Sequence, residues 1–198
     1  MKIITLSGVD GSGKSTQLKL LKERSEQEGK RVFYFHAIEF SLANRLTRVL
    51  RGKKDFTPGE EKASVKAAWI SLQLRKLFLL IDIFRFEKLA RKLSRENYNY
   101  IVSDRYFYDS VINILYLSKS AGSLWFERLI PKPDRAFYFQ ITAEEIMKRE
   151  RVPEQGIDYL KRKIELFEQK KDAFGLISID ASQSRSAITD TLTRNISF

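Results

Sequence analysis

Gly8-Val9-Asp10-Gly11-Ser12-Gly13-Lys14-Ser15 is the stretch from which the rest of the chain is read. The eight residues fit G-x-x-x-x-G-K-[ST], a loop whose glycines let the backbone wrap around an anion. Successive N–H groups and the start of the following helix then point at phosphate oxygens. Lys14 has the reach for the outer phosphates of a nucleotide, and the Ser15 hydroxyl suits Mg²⁺. The flanks agree. Ile3-Ile4-Thr5-Leu6 reads as a buried strand before the loop, and Thr16 to Glu28 as a helix after it. Average residue frequencies would give this pattern by chance in roughly one chain of this length in a hundred. A glycine-rich turn with no ligand is the plainer alternative, and the flanking strand and helix weigh against it.

Composition bounds the remaining possibilities. With 198 residues, 43% hydrophobic and 12% aromatic, the sequence can bury a core and reads as one domain over 1–198. The longest apolar cluster, Leu77 to Phe86, is interrupted by Asp82 and Arg85, so neither a membrane span nor a secretory leader is expected. Zero cysteines exclude disulfides, a thiolate nucleophile and a cysteine-based zinc site, and cytoplasm is the expected setting. A single histidine, His36, excludes His-rich metal sites and argues against a histidine-based triad. The net charge of +11 comes from 36 basic residues interleaved with 25 acidic ones. That spread suits a cationic cleft for nucleotide phosphates better than a nucleic-acid surface. Lys161-Arg162-Lys163 and Lys170-Lys171, sharing a helical pattern with Glu165 and Glu168, read as a solvated face.

Apolar strand-like runs alternate with helical patterns, the signature of a parallel sheet covered by helices. Strands are expected at Lys2–Ser7, Arg31–His36, Tyr98–Ser103, Arg135–Gln140 and Leu176–Ile179. Helices are expected near Lys14–Glu28, Leu42–Arg51, Glu60–Arg95 (broken), Tyr106–Ser120, Ala143–Arg151, Gly156–Phe174 and Ser184–Asn195. Thr142 and Ser184 are candidate N-caps, and only Thr142, with Glu145, completes a capping box. In such a sheet, catalytic residues belong at the carboxyl ends of the strands.

Tyr100-Ile101-Val102-Ser103-Asp104 is a strand ending in a carboxylate, the arrangement that helps hold Mg²⁺ beside phosphates. Many strands end in Asp. The Arg105-Tyr106 that follows, together with the loop at 8–15, makes the combination specific. Asp10 stands inside the loop, where a carboxylate gains nothing from phosphate. It reads as an acceptor for a sugar hydroxyl on a second substrate, with capping of the loop's own backbone as the plainer role.

Gly-Val-Asp-Gly-Ser-Gly-Lys-Ser-Thr-Gln at 8–17, taken with Asp-Arg-Tyr at 104–106, resembles the thymidylate kinases. The likeness continues through Asp82-Ile83-Phe84-Arg85, placed as that family places its substrate arginine. Lys148-Arg149-Glu150-Arg151 with Glu154-Gln155 resembles the family's lid, here short and spanning about 148–156, and Ile179-Asp180-Ala181-Ser182 resembles the segment lying against adenine. The resemblance implies an ATP-dependent nucleoside monophosphate kinase, with Mg²⁺, nucleotide substrates and a homodimer through helices flanking the Asp-Arg-Tyr strand. It implies a three-layer α/β fold whose five parallel strands run in the order 2-3-1-4-5.

Carried over residue by residue, Gly8, Gly11, Ser12, Gly13, Lys14, Ser15 and Thr16 would cradle ATP, with Ala181 and Ser182 beside its base. Asp104 would share the metal with Ser15. Arg85 and Arg105 would hold the acceptor monophosphate, Asp10 its 3′-hydroxyl, and Tyr106 would stand on the same side. Arg149 or Arg151 would stabilise the transferring phosphoryl group, because family members with glycine at the Gly11 position supply that arginine from the lid. The plainer role of Arg85 is a helix salt bridge with Asp82; that of Arg149 and Arg151 is a solvated helix end.

Departures from the family pattern gather on the acceptor side. Ser7 stands where Glu usually precedes the loop, and the usual Arg-Glu-Pro is Ala37-Ile38-Glu39-Phe40, leaving Glu39 and, as replacement cations, Arg45 or Arg48. The thymine-stacking aromatic falls near Ile81, with Phe78 or Phe84 as substitutes. The small hydroxyl residue after Asp-Arg-Tyr lands on Asp109, beside Ser110, and the expected glutamine lands near Ile114. Base contacts decide substrate identity. The reading is therefore a kinase with dTMP as leading acceptor and an altered or relaxed pocket. Two others stay open: a deoxynucleoside kinase with Glu39 as base, and a non-catalytic nucleotide-binding protein with a basic surface.

Overall fold

The computed structural model describes residues 1–42, 61–120, 122–149 and 153–196. Strands β1 (Lys2–Ser7), β2 (Val32–His36), β3 (Tyr100–Asp104), β4 (Arg135–Gln140) and β5 (Ile177–Asp180) pair in parallel in the order β2-β3-β1-β4-β5. Helices on both faces explain why these strands read as apolar runs rather than alternating ones. Every residue of β3 is buried.

The helices are α1 (Lys14–Gln27), a single turn α2 (Ala37–Phe40), α3 (Glu61–Arg95), α4 (Phe107–Leu117), α5 (Ala143–Met147), α6 (Gly156–Phe174) and α7 (Arg185–Ile196). A 3₁₀ turn at Trp125–Leu129 was not anticipated by the pattern. Helix α3 runs unbroken where a break was expected, since no proline or glycine interrupts it. The helix expected at Leu42–Arg51 lies, past Leu42, outside the described residues. Thr142 caps α5 as anticipated: its Oγ1 accepts from Glu145 N at 3.2 Å, and the Glu145 carboxylate accepts from Thr142 N at 3.1 Å. Ser184 Oγ likewise accepts from Ala187 N at the start of α7.

Aromatic rings fill the core on the α3–α4 side. Phe86 lies 4.7 Å from Phe35, 5.4 Å from Phe107 and 5.6 Å from Tyr106, ring centre to ring centre. On the other face Tyr138 stacks on Phe167 at 5.0 Å. This packing fixes the sheet edge that matters. Leu6 of β1 and His36 of β2 are both in register with Asp104 of β3, so the carboxyl ends of these strands meet. The loop leaving β1 emerges between β3 and β4, at the point where the strand order reverses.

Candidate active site

The chain from Gly8 to Gly13 turns tightly between β1 and α1. Gly8, Gly11 and Gly13 all have positive φ (142°, 81° and 97°), which side chains with a Cβ adopt at a cost. A Cβ on Gly11 would also come within 2.9 Å of Ile146 Cγ2, so this loop position has no room for a side chain while α5 stays where it is. Lys14 folds back over the loop, its ammonium donating to Val9 O at 2.7 Å and to Ser12 Oγ at 3.1 Å. Burial, followed by the nearby Arg105 charge, pulls its pKa down to about 8. An anion in the loop would offset both pressures by favouring the charged form.

At the end of β3, Asp104 Oδ2 accepts from Ser15 Oγ at 2.7 Å. Its other oxygen, Oδ1, is buried and has no hydrogen-bond partner among the described residues. A hydroxyl and a half-satisfied carboxylate set side by side fit a hard, oxygen-seeking cation such as Mg²⁺. His36 lines the same cavity, and its Nδ1 is also buried without a partner there.

Arg105 follows directly in a left-handed conformation, φ 63°. Its backbone N–H donates to Leu6 O and its carbonyl accepts from Ser103 Oγ, which together hold the strained turn. The guanidinium pairs with Asp10 and lies 4.0 Å from Asp109. Burial works against its charge, but the carboxylates of Asp109, Asp10 and Asp104 outweigh it, and its pKa is raised. Asp109 is itself buried and fully engaged. It accepts from Ser7 Oγ at 2.6 Å, Tyr106 N at 3.0 Å and Gly8 N at 3.3 Å. The two departures from the family pattern nearest the loop, Ser7 and Asp109, thus meet one another.

Two cavities open on either side of the Asp10–Arg105 pair, and both residues line both. The larger, about 1260 Å³, follows the loop from Asp10 to Gln17 and extends past Asp104 to Ala181 and Arg185. Arg149 spans it, donating to Gly11 O at 2.5 Å and Ala181 O at 2.8 Å. Ala181 is in this lining, whereas Ser182 turns away into a bond with Asp180, and Gln183 and Ser184 stand in its place. Arg151 lies outside the described residues, as do Arg45 and Arg48.

The smaller cavity, about 320 Å³, is walled by α2, α3, α4 and α6. Arg75, Leu79 and Asp82 line it from α3, on the stripe that carries Arg85 but starting nearer the N-terminus of the helix. Four residues assigned to substrate do not line either cavity. Arg85 takes its plainer role: it donates to Asp82 Oδ1 at 2.5 Å and Phe40 O at 3.1 Å and lies over the Phe40 ring. Phe84 is on the exposed side of α3, since the buried face of that helix is set by Leu79, Ile83 and Phe86. Tyr106 is buried in the aromatic core with its hydroxyl on Pro131 O, and Glu39 is exposed on α2. In their place come Arg75, Asn113 and Lys163. The basic run at 161–163 had read as solvated, yet Lys163 is buried in the cavity wall and Lys170 is buried against Glu127 and Ser123. The i, i+7 spacing of these two lysines on one helix face, beside Leu160, Leu166 and Phe167, was the available signal.

Comparison with known proteins supplies the name for this arrangement. The family model for thymidylate kinase matches residues 6–190. A probable thymidylate kinase from Thermococcus kodakarensis is 30% identical over 149 residues, covering 74% of this chain and 69% of that protein. One from Methanocaldococcus jannaschii is 27% identical over 187 residues, covering 91% and 87%. Among solved structures, a thymidylate kinase from Candida albicans superposes with TM-score 0.67 at 19% identity, covering 99% of this chain and 91% of that one. The strand order, the loop and the match across nearly the whole length agree: the chain belongs to the thymidylate kinase family, among the nucleoside monophosphate kinases.

Proposed function

We propose that this protein transfers the γ-phosphate of ATP to dTMP, with the larger cavity taking the donor and the smaller one the acceptor. The observation that carries this reading is the shared wall: Asp10 and Arg105 face both cavities, so two nucleotides would meet there phosphate to phosphate. Lys14 leaves Val9 O and Ser12 Oγ for the donor phosphates. Ser15 and Asp104 hold Mg²⁺, which when bound neutralises charge on the phosphate oxygens. Gly8, Ser12, Gly13 and Thr16 supply the cradle, and Ala181 the edge of the adenine site. Arg105 exchanges Asp10 for the acceptor phosphate, freeing Asp10 for the sugar 3′-hydroxyl beside Tyr159.

The remaining roles follow from phosphoryl-transfer chemistry. An acceptor phosphate is already anionic and nucleophilic, so positioning and positive charge do most of the work, and no general base is needed. Arg149, already across the mouth of the loop, stabilises the moving phosphoryl group, and the short lid around 148–156 carries it. The lack of room at Gly11 supports an arginine supplied from there. Glu39, exposed and outside both linings, gives a hydroxyl acceptor no base, which disfavours the deoxynucleoside reading. Among the described residues no helix is long and apolar enough to cross a membrane. A cytoplasmic setting, where ATP is made and spent, belongs to the same proposal.

ADP release with ATP and Mg²⁺ tests it across dTMP, dUMP, dCMP, dGMP, AMP and thymidine. Turnover is expected on monophosphates with dTMP ahead. ATP binding without turnover on any monophosphate would overturn it.

Self-association is the second part of the proposal, through α3, one of the two helices that flank the Asp-Arg-Tyr strand. Val111, Ile114 and Leu115 of α4 are buried within the chain. Helix α3 instead exposes Ile70, Leu74, Leu77, Ile81 and Phe84 at a heptad spacing, a seam that a second copy's identical seam would cover. Leu77→Glu is expected to halve the mass measured by light scattering; a monomeric unmodified protein would refute the seam.

A further inference from the structure

Lys163 poses a problem that the transfer chemistry leaves unsolved. It is only 7% exposed, and among the described residues it forms no ion pair. One of its three protons goes to Asn113 Oδ1 at 3.1 Å, and the rings of Tyr159 and Tyr116 lie 5.2 and 5.8 Å from the ammonium. A cation taken out of water without a counter-ion is costly, and stays in a fold when something else takes its remaining protons. Burial pushes its pKa down to about 8, Asp109 and Asp10 pull it up and Arg105 pushes it down, so at neutral pH it remains a donor.

Its partner is equally constrained. An ammonium only donates, so Asn113 must turn its oxygen toward Lys163 and its NH₂ toward the rest of the site. Both residues line the acceptor cavity. Ile114, the neighbour that falls where a base-reading glutamine was expected, is buried and apolar and has no hydrogen bond to offer. The polar readout has to come from elsewhere.

We infer that Lys163 and Asn113 together read the acceptor base, presenting only donors and so selecting bases with a carbonyl at C4 of a pyrimidine or C6 of a purine over bases with an amino group at that position. Thymine, uracil and guanine offer a carbonyl oxygen where cytosine and adenine offer N–H₂. Against an amino group the pair would face donor to donor, and a buried donor left unpaired is the strong form of discrimination. This rests on the acceptor assignment above and sharpens it.

Lys163→Met keeps the length of the side chain and removes the charge, and Asn113→Asp supplies an acceptor oxygen toward the base. Relative to the unmodified protein, Lys163→Met is expected to weaken dTMP about tenfold to a hundredfold in KM and in calorimetric affinity. ATP affinity should be unchanged and dCMP affected less than about threefold. Asn113→Asp should narrow the dTMP-to-dCMP ratio further. Lys163→Met should melt no lower than the unmodified protein, because it removes a buried charge; a lower Tm would mark a structural lysine and count against the proposal. An unchanged dTMP-to-dCMP ratio in both variants, or an equal loss for every monophosphate, would overturn it. Should the unmodified protein bind dTMP without transferring phosphate, the kinase reading alone would fail, and the binding ratios would still decide this one.

Discussion

The proposed donor half and the proposed acceptor half of this molecule are built by different means. On the donor side, most of the proposed groups come from the run 11–16 and from Asp104 at the end of β3, with Arg149 and Ala181 closing the far wall, and the loop has its geometry set by its own backbone. On the acceptor side, the cavity draws scattered residues from α2, α3, α4 and α6, and each side chain's direction depends on how that helix packs. A contiguous loop tolerates little change, since Gly8, Gly11 and Gly13 hold conformations or spaces that other residues strain to fill. A wall made by four helices can be refaced one residue at a time. That difference explains why the departures from the family pattern gather on the acceptor side.

Removing a donor-side group should therefore abolish catalysis with the fold intact. Lys14→Ala is expected to lower kcat by about 10³-fold or more, because an uncompensated phosphate charge meets the transition state directly. Thermal unfolding should show the variant no less stable, as the lysine it removes is buried and held below its normal pKa. Arg149→Ala should follow at about 10³-fold in kcat with a smaller change in KM for ATP. If Arg151→Ala is the more damaging of the two, the bond from Arg149 to Gly11 O is a resting contact and the working arginine is Arg151.

The two halves also differ in how far they could be read before folding. Parallel strand runs, the phosphate loop, Asp104 and the Thr142 cap are local patterns, and each is found within a residue or two of its expected place. Arg85 was placed as the family places its substrate arginine before Asp-Arg-Tyr, and Phe84 as a substitute close to Ile81, and position along a helix does not say which side chains reach the cavity. Arg75, Leu79 and Asp82 share a stripe with Arg85, but Arg85 lies one turn beyond the cavity and is taken up by Asp82 and Phe40, while Phe84 falls on the exposed face. Tyr106 differs for another reason: it follows two proposed site residues, yet β3 has ended and its ring turns back into the core. Lys163 was hidden by averaging, since a run of three cations looks solvated unless each is assigned to its own helix face.

Ser7 and Asp109 test whether the halves are coupled. The family pattern has a glutamate before the loop and a small hydroxyl residue after Asp-Arg-Tyr; here the hydroxyl and the carboxylate have changed places, and they bond at 2.6 Å. Asp109→Ser is expected to cost about 2–3 kcal/mol, because Gly8 N, Tyr106 N and Arg105 lose a buried acceptor. Ser7→Glu should cost a similar amount by setting two carboxylates together out of water. The double variant should recover much of the loss, with a coupling of about 2 kcal/mol in a denaturation cycle. Simple additivity would mean that the two changes arose independently and that the halves are held together by something else.

The smallest effect separates the halves by pH. Lys14 in the ligand-free fold titrates near pH 8, below the 10.5 of an unfolded chain. Between those values the unfolded chain binds a proton that the native one has released, so stability should rise as pH climbs from about 8 to 9.5. Burial also holds Lys163 near 8, so it adds to the same rise, and Lys163→Met should flatten it in part. Above pH 10 the direction turns, because burial holds Tyr34, Tyr108 and Tyr159 up at about 12 while their unfolded counterparts ionise. ATP affinity should run the other way. Phosphates beside Lys14 favour its charged form, so binding above pH 8 takes up a proton and weakens by up to about tenfold per pH unit. Calorimetry in buffers of different ionisation enthalpy would count that proton directly. Uptake that survives Lys163→Met assigns the titration to the donor lysine, whereas uptake that disappears with Lys163 would place the pH-sensitive charge on the acceptor side.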